Sequence, residues 1–166
     1  NDPNYKIVIP IENSLAGRVA DIHYLLPKYK LQIHGEHFQT VEHNLLGKQE
    51  ASLSDIKYVR SHAQAIGQCQ NLIIKKNFKP IISADTAGSA KDLAEGKDKT
   101  IAAIASELSA KIYNLKILEK NIEDEKGNVT RFLIMGKNIE QPEFKKEKKF
   151  ITSCIFRVKS EPSALY

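Results

Sequence analysis

The sequence predicts an α/β fold organised as two lobes. Short β-rich apolar runs alternate with stretches whose apolar residues recur at three- and four-residue spacing, the signature of strands and amphipathic helices taking turns along a chain. One extended stretch, residues 31–41, is long against an ordinary strand of about 5–6 residues and has the reach to cross between lobes. Polar groups gather where strands end and helices begin, the places where backbone N–H groups and side chains converge on an anion.

In order, Lys6-Ile7-Val8-Ile9-Pro10-Ile11 is the first strand. Ser14 stands in an N-cap position ahead of Leu15, Val19, Ile22 and Leu26 at helical spacing, and Pro27 closes that helix. Leu31 and Ile33 alternate with polar neighbours and open the long extended stretch, which passes through Gly35, Glu36 and Phe38 to Val41. Residues 56–59 form the next strand, and Ala65, Cys69, Leu72 and Ile73 mark one face of a helix starting near His62. Lys79-Pro80-Ile81-Ile82 resumes a strand. Ala87, Ala90, Leu93 and Ala94 then give a helix ending at Gly96. Residues 100–105 read as a buried strand, and Leu108 and Ile112 support a helix from about Ser106. Residues 115–118 and 129–135 are strands separated by the turn Glu125-Lys126-Gly127-Asn128. Residues 137–149, rich in lysine and containing Pro142, form a linker, after which a strand runs from Phe150 through Cys154 and Val158 to Pro162. There is no internal repeat.

At 42% hydrophobic and 27% charged over 166 residues, the composition is that of a soluble globular protein. No apolar run approaches the ~20 residues that span a bilayer, and Asn1-Asp2-Pro3-Asn4 lacks the basic-then-apolar pattern of a secretion signal. Cys69 and Cys154 show no metal-ligand or disulfide-framework spacing, which fits a reducing cytoplasm. His23, His34, His37 and His43 form no metal-binding pattern. Of the formal charge of +5, residues 137–149 supply +2 from five lysines and three glutamates. Without interleaved aromatics this segment reads as a solvated linker, not a nucleic-acid surface.

Three clusters carry the candidate chemistry: Glu12-Asn13-Ser14, Ser83-Ala84-Asp85-Thr86 and Asn128-Val129-Thr130-Arg131-Phe132. Arg131 is the most telling, because a guanidinium inside an apolar strand needs a partner and a carboxylate taken bidentately is its natural ligand. An edge-strand arginine paired with a surface acid explains the same residue. Ser14 and Thr86 serve either as helix caps or as parts of an anion cradle, and His62 either opens its helix or joins the chemistry. Periodicity and spacing by themselves reach a two-lobed anion-binding α/β protein and stop there.

Taken in order, the motifs resemble prephenate dehydratase. Ile9-Pro10-Ile11-Glu12-Asn13-Ser14 followed by Gly17 is similar to that family's P-I-E-N-S segment, and Gly35-Glu36 with His43-Asn44-Leu45-Leu46 to its G-E…H-x-L-L crossing strand. Ser61-His62-Ala63-Gln64-Ala65 with Gln68-Cys69 resembles H-P-Q-A-L-x-Q-C, with Ala63 in place of proline. Ala103-Ile104-Ala105-Ser106, Asn121-Ile122 and Asn128-Val129-Thr130-Arg131-Phe132 match A-I-A-S and N-I…N-x-T-R-F. Residues 83–87 carry an insertion relative to a compact S-T-A motif. Thr152-Ser153 to Leu165-Tyr166 resembles the opening strand and P-G-A-L turn of an ACT domain, with Ser163 in place of glycine.

The resemblance implies a two-lobed, periplasmic-binding-protein-like (type II) fold with mixed sheets and a cleft between lobes. Residues 1–40 would be part of lobe one, 41–118 lobe two, 119–136 the return strand, 137–149 the linker and 150–166 the start of a truncated ACT domain. The family's opening strand and glycine-rich turn have no counterpart before Asn1, so the first lobe is expected to be incomplete, with Ile7 and Ile9 uncovered. The implied activity is decarboxylating dehydration of prephenate to phenylpyruvate in L-phenylalanine biosynthesis, in the cytoplasm and without cofactor or metal. Implied partners are prephenate, phenylalanine as an effector of the complete protein, and further copies of the chain; nucleic acid and membrane are excluded. The implied catalytic residues are Thr130, Arg131, Glu12 and His62, with Arg131 on the substrate's side-chain carboxylate, Thr130 on its leaving hydroxyl, and Glu12 or His62 as general acid. Asn13, Ser14, Ser83, Thr86 and Phe132 would line the substrate. Arogenate is the alternative substrate, and a non-catalytic carboxylate-binding module or an inactive remnant the alternative class.

Overall fold

In a computed structural model the described residues are 5–29, 31–137, 143, 145–147 and 149. The first elements among the described residues are strand β1, Lys6–Asn13, and a two-residue strand β2, Gly17–Arg18. Helix α1, Ala20–Leu25, and the long strand β3, Gln32–Thr40, follow. Strand β4, Asn44–Gly47, a single 3-10 turn at Leu53–Asp55, and strand β5, Tyr58–His62, lead to helices α2, Ala63–Gly67, and α3, Gln70–Lys76. Then come β6, Lys79–Ser83; α4, Thr86–Glu95; β7, Ile101–Ala105; α5, Glu107–Ile112; β8, Lys116–Glu119; and β9, Val129–Gly136. The linker expected at 137–149 shows no helix or strand among its described residues, and the ACT-like segment at 150–166 lies outside them. None of the helices among the described residues is long and apolar enough to cross a membrane.

The chain divides into two compact units, one from residues up to Phe38 and from Arg131 onward, the other Gln39–Thr130. The first unit is a four-stranded sheet in the order β2-β1-β9-β3. Its opening differs from the sequence expectation, because Ser14 does not cap a helix. Asn13 Oδ1 instead accepts from the backbone N–H groups of Leu15 (3.0 Å) and Ala16 (2.8 Å), Gly17 takes a left-handed φ of +81°, and the chain doubles back as a hairpin pairing Asn13 with Gly17. Helix α1 therefore starts six residues later than Ser14, behind an extended Val19 that supplies no side-chain cap. Ile7 and Ile9 of β1 face Ile22 and Leu25 of α1 and the following Leu26 across an apolar groove of about 270 Å³, and Ile7 remains 42% exposed.

The second unit is a five-stranded mixed sheet, β6-β5-β7-β4-β8. Strands β5, β6 and β7 run parallel, whereas β4 is antiparallel to both β7 and β8. Register and the two-residue side-chain period build its layers. Leu45 pairs with Ile104 and Val59 with Ala102, and all four pack on one face with Ala65, Ile66, Cys69, Leu72 and Ile73 of the helical stretch after β5. On the other face Leu46 pairs with Ala103 and packs with Ala105, Ala90, Leu93 and Ala110, where small residues on both sides let α4 and α5 approach the sheet closely. The one helix expected after His62 is two, broken at Gln68–Cys69, yet its apolar stripe stays continuous through the break. Asp124 returns to cap the second piece, its carboxylate accepting from the N–H groups of Gln70 (2.8 Å) and Asn71 (3.0 Å).

Among the described residues the buried side-chain polar groups are paired, as close packing requires. His43 Nε2 meets Gln68 Oε1 at 2.9 Å, Asn128 Nδ2 donates to the same oxygen at 3.4 Å, and Asn44 Oδ1 accepts from Asn121 N at 3.3 Å. Gly47 has no room for a side chain: a Cβ there would stand 2.7 Å from Leu118 Cδ1 and 3.0 Å from its Cγ. Gly47→Ala is therefore expected to lose about 1–3 kcal/mol through overpacking, read as a lower thermal midpoint with an unchanged far-ultraviolet spectrum.

Candidate active site

In the first unit the site grows from the middle of the sheet. Strand β9 lies between β1 and β3, so Arg131 occupies an interior strand and not the edge position that a surface pairing invites. Its guanidinium is held from both neighbouring strands. Nη1 donates to Glu12 Oε1 of β1 at 3.0 Å, Nε donates to Glu36 Oε2 of β3 at 2.8 Å, and Nη2 stands 2.7 Å from that same oxygen. The Phe38 ring, two residues along β3 from Glu36, has its centroid 5.8 Å from Arg131 Cζ, within cation–π range. Hydrogen bonds donated to Glu12, then to Glu36, make the guanidinium hold its proton more firmly than usual, so Arg131 is a fixed positive charge.

A guanidinium has five N–H donors. Three are directed at Glu12 and Glu36, which leaves one on each terminal nitrogen without a partner among the described residues. With Arg131 27%, Glu36 29% and Glu12 52% exposed at the side chain, solvent screens the triad and it contributes about 0–1 kcal/mol to stability. Glu12, the sequence candidate for a general acid, stands as a hydrogen-bond acceptor. Thr130 and Phe132 flank Arg131 on β9, each partly buried. Ser14 lies exposed in the hairpin turn beyond Asn13.

In the second unit the polar candidates meet at the C-terminal ends of the parallel strands, where α/β sheets bind ligands. His62, last residue of β5, is the register partner of Ser83, last residue of β6. His62 caps α2, its Nδ1 accepting from Gln64 N at 3.2 Å, so in its neutral form the ring carries its proton on Nε2. The helix after β6 is capped by Asp85 and not by Thr86: Asp85 Oδ1 accepts from Gly88 N at 2.5 Å, and Thr86 is the first helical residue. Asp85 wins the position because its backbone is still extended and its carboxylate reaches three residues forward. Ser83 Oγ turns to Ser89 Oγ and the Asp85 carbonyl, and Ser106 caps α5 at the end of β7. Burial, aided by Asp124 and Glu123, pushes the Cys69 thiol up to about 12, which makes it a packing residue. Among the described residues no cluster of His, Cys, Asp and Glu is arranged to hold a metal.

A prephenate dehydratase family model matches residues 3–140. The chain belongs to the prephenate dehydratase family. It is 43% identical over 168 residues to the prephenate dehydratase of Methanocaldococcus jannaschii, covering 99% of this chain and 60% of that protein. It is also 38% identical over 161 residues to the chloroplastic arogenate dehydratase/prephenate dehydratase 2 of Arabidopsis thaliana, covering 97% of this chain and 42% of that one. Among solved structures, the prephenate dehydratase of Arthrobacter aurescens in complex with L-Phe superposes with a TM-score of 0.75 at 29% identity, over 84% of this chain and 48% of that one. The chain thus spans about 42–60% of the length of these relatives. The α/β fold with mixed sheets is that of prephenate dehydratases, the periplasmic-binding-protein-like type II class expected from the sequence.

Within this prephenate dehydratase frame, Glu36 is the residue that sequence reasoning left out of the site. Its signal lay in the Gly35-Glu36 pair, where an acid stands within an otherwise β-forming stretch that neighbours the arginine strand.

Proposed function

We propose that the chain carries prephenate dehydratase chemistry, the decarboxylating dehydration of prephenate to phenylpyruvate in phenylalanine biosynthesis. The observation that carries this reading is Arg131, bracketed by Glu12 and Glu36 on an interior strand with one N–H on each terminal nitrogen left over, in a chain of this family. In the reaction the ring carboxylate leaves as carbon dioxide. The electron pair of the broken C–C bond enters the ring, and the hydroxyl on the opposite ring carbon departs with a proton as water. The ring becomes aromatic, so the step is strongly downhill and the protein's task is orientation and charge stabilisation.

Arg131 takes the side-chain carboxylate on its two remaining N–H groups, and the family resemblance, not adjacency on β9, assigns Thr130 to the leaving hydroxyl. Asn13, Ser14 and Phe132, neighbours of Glu12 and Arg131 in sequence, are the further residues assigned to substrate contact. His62, Ser83 and Thr86, at the strand ends of the second unit, are the further polar residues we assign to this chemistry, with His62 as a candidate general acid. Arogenate, the amino counterpart handled by the Arabidopsis relative, undergoes the same reaction. The reading extends to a cytoplasmic protein that assembles with copies of itself when complete and answers to phenylalanine through an ACT domain begun at residue 150, joined by the linker at 137–149. The test is phenylpyruvate formation from prephenate by the purified chain, followed by absorbance; carboxylate binding without product would make it a binding module instead.

A further inference from the structure

We propose that Glu36 is a positioning residue, which fixes the Arg131 guanidinium so that its two remaining N–H groups form the fork that meets a substrate carboxylate. This rests on the functional reading above. An arginine side chain is long and free to rotate, and a fork presented to a ligand is useful only if its plane is set beforehand. Glu36 sets it by engaging Nε and Nη2 on one oxygen, at 2.8 and 2.7 Å, which fixes both the direction and the roll of the guanidinium. Glu12 touches only Nη1, at 3.0 Å, and is the more exposed of the two acids, 52% against 29%, so it restrains a single end.

Strand β3 contributes twice to this arrangement. Residues two apart on a strand share a face, so Glu36 brings Phe38 with it, and the ring at 5.8 Å lies beside the guanidinium whose edge the carboxylate holds. Two carboxylates around one guanidinium leave the triad with a net charge of −1, which works against a dianionic substrate if attraction is all that counts. Retaining Glu36 therefore makes sense for geometry and not for charge, and the two roles predict opposite effects.

The experiment compares the wild-type chain with Glu36→Ala, Glu36→Asp and, separately, Arg131→Lys. It reads the thermal midpoint, kcat and KM with prephenate, and the ¹⁵Nε–¹Hε nuclear magnetic resonance signal of Arg131, assigned by its loss in Arg131→Lys. Positioning predicts that Glu36→Ala lowers kcat by about 10- to 100-fold at an unchanged thermal midpoint. It also predicts that the Arg131 Nε–H signal moves to the position of solvated arginines, and that Glu36→Asp recovers part of both. A Glu36→Ala variant with wild-type kcat and a lower KM shows Glu36 acting only as a repelling charge and overturns the proposal, as does an Nε–H signal that stays in place. If Arg131→Lys is crippled while Glu36→Ala is not, this inference alone fails; if Arg131→Lys matches wild type, or wild type forms no phenylpyruvate, the functional reading fails and this inference with it.

Discussion

Arg131→Lys is expected to lower kcat/KM for prephenate by about 100-fold, the loss seen when a donor aimed at substrate charge is removed from a preorganised site. Lysine keeps the positive charge and reaches one carboxylate as a point, whereas the arginine fork spends three N–H groups on Glu12 and Glu36 and still holds two for a ligand. An ammonium offers three donors in all, so it either stays bound to its own acids or releases them. The loss therefore falls on the substrate and not on the fold: the triad is partly solvated, and the thermal midpoint should move little. Steady-state kinetics beside a melting curve separates the two. Unchanged kcat/KM removes Arg131 from the site and the proposed chemistry with it.

The largest stability effect is expected at Ile104. Strand β7 is the central strand of the five-stranded sheet, and Ile104, fully buried, pairs with Leu45 and packs in the cluster that includes Val59, Cys69 and Leu72. Ile104→Ala deletes three carbons where neighbours on the adjacent strands are fixed by their ladders and cannot collapse inward, which places the loss at about 2–5 kcal/mol. Ile112→Ala, at a position 64% exposed on α5, should stay within about 0.5 kcal/mol and serves as its control. Urea titration checks both, with the Ile104 variant shifting the midpoint while the slope is retained; equal midpoints for the two variants would show that the core is not organised around β7.

The second unit was the more legible in sequence because each of its elements buries a face. The stripe of Ala65, Cys69, Leu72 and Ile73 and the short apolar run ending at Ala105 keep their period in packing, and Gly96 ends α4 as expected. Strand β4 escaped as an element of its own because Asn44-Leu45-Leu46-Gly47 is buried throughout and shows no alternation. The first unit was read less well. Ser14 looked like a cap only while Asn13 and Gly17 were considered apart; together they close a hairpin, and a local side-chain turn outcompetes helix initiation. Thr86 yielded its capping role to the adjacent Asp85 for a similar reason, since two polar residues in a row fit the pattern and only backbone conformation decides between them. Arg131 was legible as a residue needing a carboxylate, but Glu36 was not legible as its holder, because pairing across 95 positions leaves no trace in local spacing.

The carboxylate that closes the start of α3 comes from Asp124, 54 residues downstream of the first amide it serves. During synthesis α3 leaves the ribosome with its first turn open and keeps it so until β6, α4, β7, α5 and β8 have emerged. Completion of that short helix consequently waits for Asp124, a clasp supplied from near the far end of the same unit.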